Sequence, residues 1–299
     1  MITIVIPVFN AAPAASKLVC QLDGLCEKTG TDLELVLVDD GSKPEEYERL
    51  RALDSPRLVL LRHPSNRGRS AARNTGAAAA RGKRLLFLDS DCLPATDDFL
   101  SRHVDTLEQG ADVSLGPVLS RGNGFWHRYQ RRAMARRARQ FDAGMVFAMT
   151  SANLMVKRHW FLRVGGFDEG YRGYGFEDRD LLLRLEAAGA RHAYTPDAGV
   201  YHEDELTLSA VVRKMAASGR STSLRFRSRY HQAYRDLGYA ALDVSLRPWL
   251  APAAWLGGMA VERMAPWLES WLERLPFAVA AALVKAMGAL AFMRGTLDR

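Results

Sequence analysis

The sequence predicts an α/β fold in which a mostly parallel sheet carries helices on both faces, followed by a helical C-terminal extension. Short runs rich in Val, Ile and Leu recur up to about Val118. These runs are apolar at consecutive positions, which is typical of strands covered on both faces. Helix-like stretches separate them, and this alternation favours parallel pairing. From Leu206 onward the pattern is helical.

The expected strands are, in order, ITIVIPV, LELVLVD, RLVLLRH, RLLFLD and DVSLGPV, and the helices between them include PAASKLVCQLDGLCE and RSAARNTGAAAARG. Open α/β sheets bind ligands beyond the carboxyl ends of their strands. Two acidic segments, VDDGS at 38–42 and LDSD at 88–91, follow such strands. We therefore expect a ligand site at this edge of the sheet.

The second half of the chain has a different pattern. Residues 121–142 hold seven arginines and no acidic residue before Asp142. A Gly/Tyr-rich loop, GYRGYG, then precedes an amphipathic helix from about Glu177, and RHAYTPDAGVYHE predicts one or two short strands. We expect the loop to be mobile and able to close over a bound ligand.

The charge is distributed unevenly along the 299 residues. Residues 1–120 contain 14 Lys and Arg against 17 Asp and Glu, whereas residues 121–299 contain 27 against 17, a net charge of +10. The basic half could contact a nucleic acid, an anionic membrane or a phosphorylated substrate. Cys20, Cys26 and Cys92 have no metal-ligand spacing, and we interpret them as reduced thiols without a role.

Asp89 and Asp91 follow a buried strand one residue apart. Two ionised carboxylates in this position repel each other and lose hydration, so a positive charge should lie beside them. A divalent cation is one source of this charge, since hard cations prefer carboxylate and phosphate oxygens. Such a pair of aspartates can also cap the following helix or remain solvated.

A set of motifs in a fixed order resembles the family 2 glycosyltransferases, which are inverting nucleotide-sugar enzymes with the GT-A fold. The resemblance covers about residues 2–220. It rests on VIPVFN (5–10), VDDGS (38–42), NRGRSAARNTGAAAARG (66–82), LDSD (88–91), GGFDE (165–169), GYGFEDRDLLLRL (173–185) and VYHE (200–203).

The resemblance implies a donor site for a nucleotide-sugar, with UDP favoured, and Mn²⁺ or Mg²⁺ as cofactor. Asp91 should bind the cation, His202 should complete the metal site, and Asp89 should contact the ribose or donor sugar. One carboxylate of VDDGS should accept from the uracil imide. The donor-binding candidates are Pro7, Val8, Phe9, Asp39, Asp40, Gly68, Arg73, Asp89, Ser90 and Asp91.

Inverting transfer needs a base for the acceptor hydroxyl, and the resemblance assigns this role to Asp178. Acidic residues are also favoured at a helix start for electrostatic reasons alone. The acceptor-side candidates are Glu177, Tyr174 and Trp126. The acceptor should be a sugar, a lipid-linked glycan or a cell-envelope glycan.

We expect a catalytic domain over 1–220, with a nucleotide-binding half to about 120 and an acceptor half over 121–220, and a helical extension over 221–299. The start of the chain lacks signal-peptide features, so we expect a cytoplasmic enzyme, peripheral on the inner face of the cell membrane.

The C-terminal segment has three open interpretations: a membrane-interfacial helix, a helical hairpin packed against the catalytic domain, or a homodimer interface. Trp267, Leu268, Trp271, Leu272 and Leu275 recur at helical spacing, which should turn Glu269, Glu273 and Arg274 away from this stripe. The last apolar stretch is interrupted by Lys285 and is expected to fall short of a membrane span.

Two other functions compete. A sugar-1-phosphate nucleotidylyltransferase also uses aspartates and Mg²⁺, but it would need a Gly-rich basic loop after the first strand, where VFNAAPAAS has neither glycine nor basic residue. A nucleic-acid-binding protein could use the arginines of 121–139 with Phe125, Trp126 and Tyr129. No recognised nucleic-acid motif accompanies them, so no nucleic-acid partner is expected.

Overall fold

The computed structural model describes residues 1–203 and 206–299 and confirms the predicted α/β class. The described residues form two compact units. The first comprises 1–121, 134–169 and 178–203, and the second comprises 122–133, 170–177 and 206–299. The division of the chain at residue 220 stays a prediction.

The first unit contains the sheet elements. Its first half consists of β1 (Ile2–Val8), α1 (Ala12–Thr29), β2 (Leu33–Asp39), α2 (Pro44–Arg51), β3 (Leu58–Arg62), α3 (Arg69–Ala79), β4 (Arg84–Leu88), β5 (Cys92–Pro94), α4 (Phe99–Glu108), β6 (Val113–Leu115) and β7 (Val118–Leu119). Its second half adds β8 (Asn153–Lys157), α6 (Arg158–Arg163), β9 (His192–Tyr194) and β10 (Val200–His202). Two further helices, α5 (Phe125–Asp142) and α7 (Glu177–Ala187), have residues in both units.

Among the described residues, seven strands form the main sheet in the order β3-β2-β1-β4-β8-β6-β9. β3, β2, β1 and β4 are parallel, as predicted, while β8 runs antiparallel to both of its neighbours. The apolar side chains of β1 and β2 are buried and pack with those of α1, which forms the core of this unit. The carboxyl ends of β1, β2 and β4 therefore lie at one edge.

The predicted strand DVSLGPV is divided between two sheets. β6 pairs in the main sheet, whereas β7 pairs with β10 in a separate three-stranded sheet of order β5-β10-β7. Pro117 lies between them and has no N–H to continue the ladder. The segment RHAYTPDAGVYHE likewise gives two strands, β9 and β10, one in each sheet.

The second unit is helical. It contains α8 (Leu208–Ala217), a π-helical turn (Ser218–Thr222), α9 (Ser223–Arg229), α10 (His231–Asp236), α11 (Ala251–Glu269) and α12 (Phe277–Leu297). Apolar side chains of α8, α11 and α12 pack around Phe125 in one core cluster.

The expected stripe at the end of α11 is wrong in part. The helix ends at Glu269, and residues 270–275 form a turn in which Leu272 is buried. Glu269 and Glu273 do not face away: Glu269 accepts from Leu208 N, and Glu273 accepts from Phe125 N at 2.6 Å. The free N–H groups at the starts of α8 and α5 need acceptors, and a carboxylate there also gains from the helix dipole.

α12 also differs from expectation. It has 21 residues and continues through Lys285, so by length and composition alone it could cross a membrane. However, 44% of its apolar window is buried inside the fold, in contact with α8 and α11. The helix therefore serves as core material of the second unit.

Candidate functional site

The site is built at the edge where β1, β2 and β4 end. Asp39 is the last residue of β2, and Asp89 directly follows β4. Val8 ends β1 and pairs in register with Asp39. Two of the acidic motifs thus meet at the predicted edge, because neighbouring parallel strands end on the same side.

Asp39 is fully buried and holds the loop that follows it. Its Oδ1 accepts from Ser42 N at 3.1 Å, and its Oδ2 lies 3.2 Å from Arg62 Nε. This Oδ2 has no partner with hydrogen-bond geometry among the described residues. Asp39 is therefore held by its own loop and by the charge of Arg62.

Asp40 differs from Asp39 in that both of its carboxylate oxygens already accept hydrogen bonds. Its Oδ1 accepts from Arg67 N at 2.9 Å and contacts His63 Nδ1 at 2.7 Å, and its Oδ2 accepts from Gly68 N at 2.8 Å. Asp40 thereby fixes the loop that leads into α3. No sequence motif marks His63, because it is a lone histidine at the end of a strand-like run.

The three residues proposed to line a base pocket differ in their surroundings. Val8 is buried in the hydrophobic core, so its side chain does not face the edge. Pro7 is half-buried, and Phe9 is exposed at 48%. Phe9 is therefore the apolar side chain of this group that a ligand can reach.

Arg73 lies at the centre of the site. It projects from α3 and is almost completely buried. Its Nη2 donates to Asp89 Oδ1 at 2.6 Å, its Nη1 lies 3.5 Å from Asp178 Oδ1, and its guanidinium lies 5.1 Å from the ring of Phe167. One buried cation thus connects two predicted site carboxylates, Asp89 and Asp178.

Asp91 and His202 are brought together by the small sheet. β5 and β10 pair antiparallel with His202 opposite Cys92, which is the neighbour of Asp91. His202 Nε2 consequently lies 3.2 Å from Asp91 Oδ2. Burial alone would raise the pKa of the Asp91 carboxyl, but the hydrogen bond and charge of His202 and the charge of Arg69 lower it.

These two side chains fit a divalent cation. Among the described residues no group of three or more His, Cys, Asp or Glu side chains forms a complete metal site. Burial, followed by the charges of Asp89 and Asp91, raises the pKa of the Cys92 thiol, which remains neutral. Mg²⁺ and Mn²⁺ commonly bind one or two protein ligands and take further oxygens from substrate phosphates. Asp91 and His202 provide that partial set.

Asp178, the second residue of α7, belongs to the first unit and is held by Ser151, which no sequence motif marks. Ser151 is fully buried, and its hydroxyl donates a short hydrogen bond to Asp178 Oδ1. Ser151 precedes β8, which pairs antiparallel with β4 and places Asn153 opposite Leu88. The sequence does not predict the bond between Ser151 and Asp178, because it depends on the register in which β8 pairs with β4.

Ser90 lies at a tight turn, in which Cys92 N donates to Asp89 O at 3.0 Å. The acceptor-side candidates Glu177, Tyr174 and Trp126 belong to the second unit. Glu177 is buried, and Tyr174 is partly exposed with Lys214 Nζ 5.3 Å from its ring. Trp126 packs in the helical core, and its Nε1 donates to Glu269 Oε1 at 2.6 Å.

The Gly/Tyr-rich loop is packed on the π-helical turn. Thr222 Oγ1 donates to Tyr174 O at 2.8 Å. Phe176 has φ of 73°, a left-handed conformation that is costly for a residue other than glycine. Its ring is fully buried and lies 4.8 Å from Phe226 and 4.9 Å from Tyr239. Closure of this loop over a ligand stays a prediction.

Residues 3–171 match the family Glycosyl transferase family 2, and residues 121–241 match Glycosyltransferase like family 2. The chain is 32% identical over 234 residues to the pre-mycofactocin glycosyltransferase of Mycobacterium tuberculosis, covering 74% of this chain and 47% of that protein. It is 30% identical over 226 residues to the succinoglycan biosynthesis protein ExoO of Rhizobium meliloti, covering 71% and 63%. The chain thus spans about half to two thirds of these relatives.

Among solved structures, the fold is similar to a mannosyltransferase from Pyrobaculum calidifontis determined with GDP-Man and Mn²⁺. The TM-score is 0.57 at 19% identity, and the match covers 94% of this chain and 86% of the other. At this identity the similarity concerns the fold.

Proposed function

Because the chain belongs to glycosyl transferase family 2 and has its GT-A type fold, we propose that it is a metal-dependent inverting glycosyltransferase that uses a nucleotide-sugar. The observation that carries this proposal is the contact of Arg73 with both Asp89 and Asp178. The donor-side carboxylate and the proposed base are held by one buried guanidinium. Such fixed geometry is what a single displacement requires.

The donor side is proposed to bind a UDP-sugar. Asp39 is the proposed acceptor for the imide N–H of uracil, and donor binding would have to uncover its carboxylate, which is fully buried beside Arg62. Phe9 covers the base, and the segment from Gly68 to Arg73 lies along the nucleotide. Asp89 and Ser90 contact the ribose or the donor sugar.

Asp91 and His202 are the proposed ligands of Mn²⁺ or Mg²⁺, as their separation of 3.2 Å allows. A bound divalent cation would neutralise charge on the diphosphate leaving group. The mannosyltransferase with a similar fold was determined with Mn²⁺, which supports a divalent cation here.

Asp178 is the proposed base. The acceptor hydroxyl oxygen attacks the anomeric carbon, the bond from that carbon to the diphosphate oxygen breaks, and the nucleoside diphosphate leaves with the electron pair. Asp178 takes the hydroxyl proton. Ser151 and Arg73 both contact Oδ1, which leaves Oδ2 for the acceptor. Glu177, Tyr174 and Trp126 remain proposed acceptor-side residues.

The proposed acceptor is a lipid-linked or cell-envelope glycan, on the inner face of the cell membrane. The name of the Rhizobium relative supports a role in polysaccharide synthesis. The nucleic-acid alternative is not supported, because Phe125 is fully buried and Tyr129 packs against it in the helical core, with ring centroids 5.7 Å apart. The nucleotidylyltransferase alternative gains no supporting contact.

Thermal unfolding with a panel of UDP-, GDP- and dTDP-sugars, with and without Mn²⁺, tests the proposal. A donor at 100 times its Kd should stabilise the fold by about 2.7 kcal/mol. We expect this only for UDP-sugars and only with Mn²⁺, and Asp91→Asn should remove both the effect and turnover. Asp97→Asn, at an exposed ion pair with Lys28, is the matched control. Near-normal turnover in Asp91→Asn would refute the metal site.

A further inference from the structure

α11 turns an apolar face toward solvent. Its inner side buries Ala254, Gly258, Val261 and Ala265. The outer side exposes Trp255, Leu256, Met259, Met264 and Trp267. We call this exposed set the α11 face. The exposed Glu262 and Arg263 lie between Met259 and Met264 on the same helix. A helix on the surface of a water-soluble fold normally carries mostly polar residues there, and a cluster of large exposed apolar side chains marks an interaction site.

Tryptophan dominates this part of the second unit. Trp249 is 69% exposed and Trp267 is 60% exposed, and Trp255 and Trp271 are exposed as well. Exposed tryptophans are costly in water, whereas their amphipathic rings are favoured at the headgroup level of a bilayer.

Arginines border the exposed tryptophan rings and the partly buried ring of Phe277. The guanidinium of Arg247 lies 5.6 Å from the ring of Trp249, and that of Arg274 lies 5.4 Å from Trp271. At the start of α12, Arg128 and Arg132 of α5 lie 5.2 Å and 4.1 Å from the ring of Phe277. The apolar face therefore has a basic margin at both ends of α11.

Acidic groups offset little of this charge. Residues 206–299 contain 13 Lys and Arg against 6 Asp and Glu, a net charge of +7. Glu269 and Glu273 are engaged by the N-termini of α8 and α5. Glu262 is exposed on α11 next to Arg263.

We propose that the α11 face binds the surface of an anionic lipid bilayer, with the tryptophans among the headgroups and the arginines beside lipid phosphates. Anionic lipid complements the basic margin. A second copy docked on the same face would instead bring like charges together across a twofold axis. The inference rests on the proposed function only for its purpose: membrane binding would give the enzyme access to a lipid-linked acceptor.

Flotation of the full chain with phosphatidylglycerol-containing and pure phosphatidylcholine vesicles tests the inference. The wild type should float with the anionic vesicles at low salt and be released by high salt. Trp255→Ser combined with Trp267→Ser should lower the partition coefficient about tenfold or more. Leu162→Ser combined with Leu224→Ser removes two exposed apolar side chains elsewhere and should have no effect.

A second pair of variants tests the charge contribution. Arg128→Gln with Arg132→Gln should weaken anionic binding between about fivefold and 25-fold, since one basic residue near the surface contributes about fivefold. Arg136→Gln with Arg139→Gln, on the first-unit part of the same helix, is the matched control and should change it little. Circular dichroism melting verifies that each variant is folded.

Three results would overturn the inference. One is failure of the wild type to float with anionic vesicles. Another is equal flotation of the tryptophan variant and its control. The third is a soluble dimer that the tryptophan substitutions dissociate, which would assign the face to a second copy. Donor hydrolysis measured without vesicles reports on the proposed function separately, because these residues lie outside the donor site.

Discussion

Arg73 Nη2 lies 2.6 Å from Asp89 Oδ1, and the arginine side chain is almost completely buried. The sequence indicated that a positive charge must accompany the aspartates at the end of β4. Within the folded chain, Arg73 supplies it for Asp89, and His202 contacts Asp91. A further positive charge is needed only when the negatively charged diphosphate of a donor is bound.

Arg73→Ala should therefore destabilise the fold strongly. Removing one partner of a buried ion pair leaves uncompensated carboxylates, with a typical cost of about 3–5 kcal/mol. Asp89 and Asp178 are partly exposed, so we expect the lower end of that range. Urea denaturation measures this free energy of unfolding.

Arg67→Ala provides the control. Arg67 pairs with Glu169 at 3.1 Å, but both side chains are exposed, and such pairs contribute about 0–1 kcal/mol. Equal losses for the two variants would show that Arg73 is not the organising charge of the site.

The continuous apolar runs were sufficient to predict the parallel strands and the edge where Asp39 and Asp89 meet. The sequence could not predict that β8 inserts antiparallel beside β4, because apolar strands of either direction have the same pattern. Ser151 reaches Asp178 only through that insertion.

The same limit applies to long-range pairing. The His202–Asp91 contact depends on β5 and β10, three-residue strands that are too short to give a periodic signal. At the C-terminus, helical spacing predicted Glu269 and Glu273 on the outside. The free N–H groups of α5 and α8 decide otherwise, and those are visible only after the helices pack.

Ser151→Ala should lower kcat about tenfold with little change in the KM for the donor, because Ser151 contacts the proposed base and not the donor-side carboxylate. Asp178→Asn should lower kcat by about 10² or more, since the amide cannot accept the acceptor proton.

The double variant decides whether the two residues act together. If Ser151 acts through Asp178, adding Ser151→Ala to Asp178→Asn should cause no further loss of kcat. Additive losses would assign Ser151 a separate structural role. Ser101→Ala, at an exposed serine on α4, is the control for the substitution itself.

Stability should fall as the pH is lowered from about 6.5 to about 4. His103 is fully buried between Ser114 and Asn153, and burial lowers the pKa of its imidazole to about 4. The unfolded chain binds a proton near pH 6.5 that the folded chain excludes until about pH 4. Each pH unit in that window therefore costs up to about 1.4 kcal/mol for this group.

Urea denaturation of His103→Gln at several pH values checks this expectation. The variant should be less stable at pH 7 but should show a shallower pH dependence than the wild type. The exposed His159→Gln variant should keep the wild-type slope. An unchanged slope in His103→Gln would contradict the assignment and would point instead to the half-buried His192, whose pKa burial also lowers to about 4.

Substitution of two adjacent glycines near the site distinguishes the cost of backbone strain from the cost of a steric clash. Gly165 and Gly166 both have left-handed φ, 76° and 71°. A Cβ on Gly165 would meet nothing within 4 Å, whereas a Cβ on Gly166 would lie 2.6 Å from Asn74 Oδ1. Asn74 clamps Phe167 through hydrogen bonds of 2.8 Å to its N–H and its carbonyl, and the Phe167 ring lies beside Arg73.

Gly165→Ala should cost about 1–2 kcal/mol for its backbone conformation alone and leave turnover unchanged. Gly166→Ala should lower the free energy of unfolding by a further ~1–3 kcal/mol, because Asn74 must move and its hydrogen bonds to Phe167 weaken. Gly166→Ala should also lower turnover, because a displaced Phe167 ring no longer packs beside the Arg73 guanidinium. Denaturation and steady-state kinetics on both variants measure the two effects. Equal stability and equal turnover in the pair would mean that the clamp by Asn74 does not support the site.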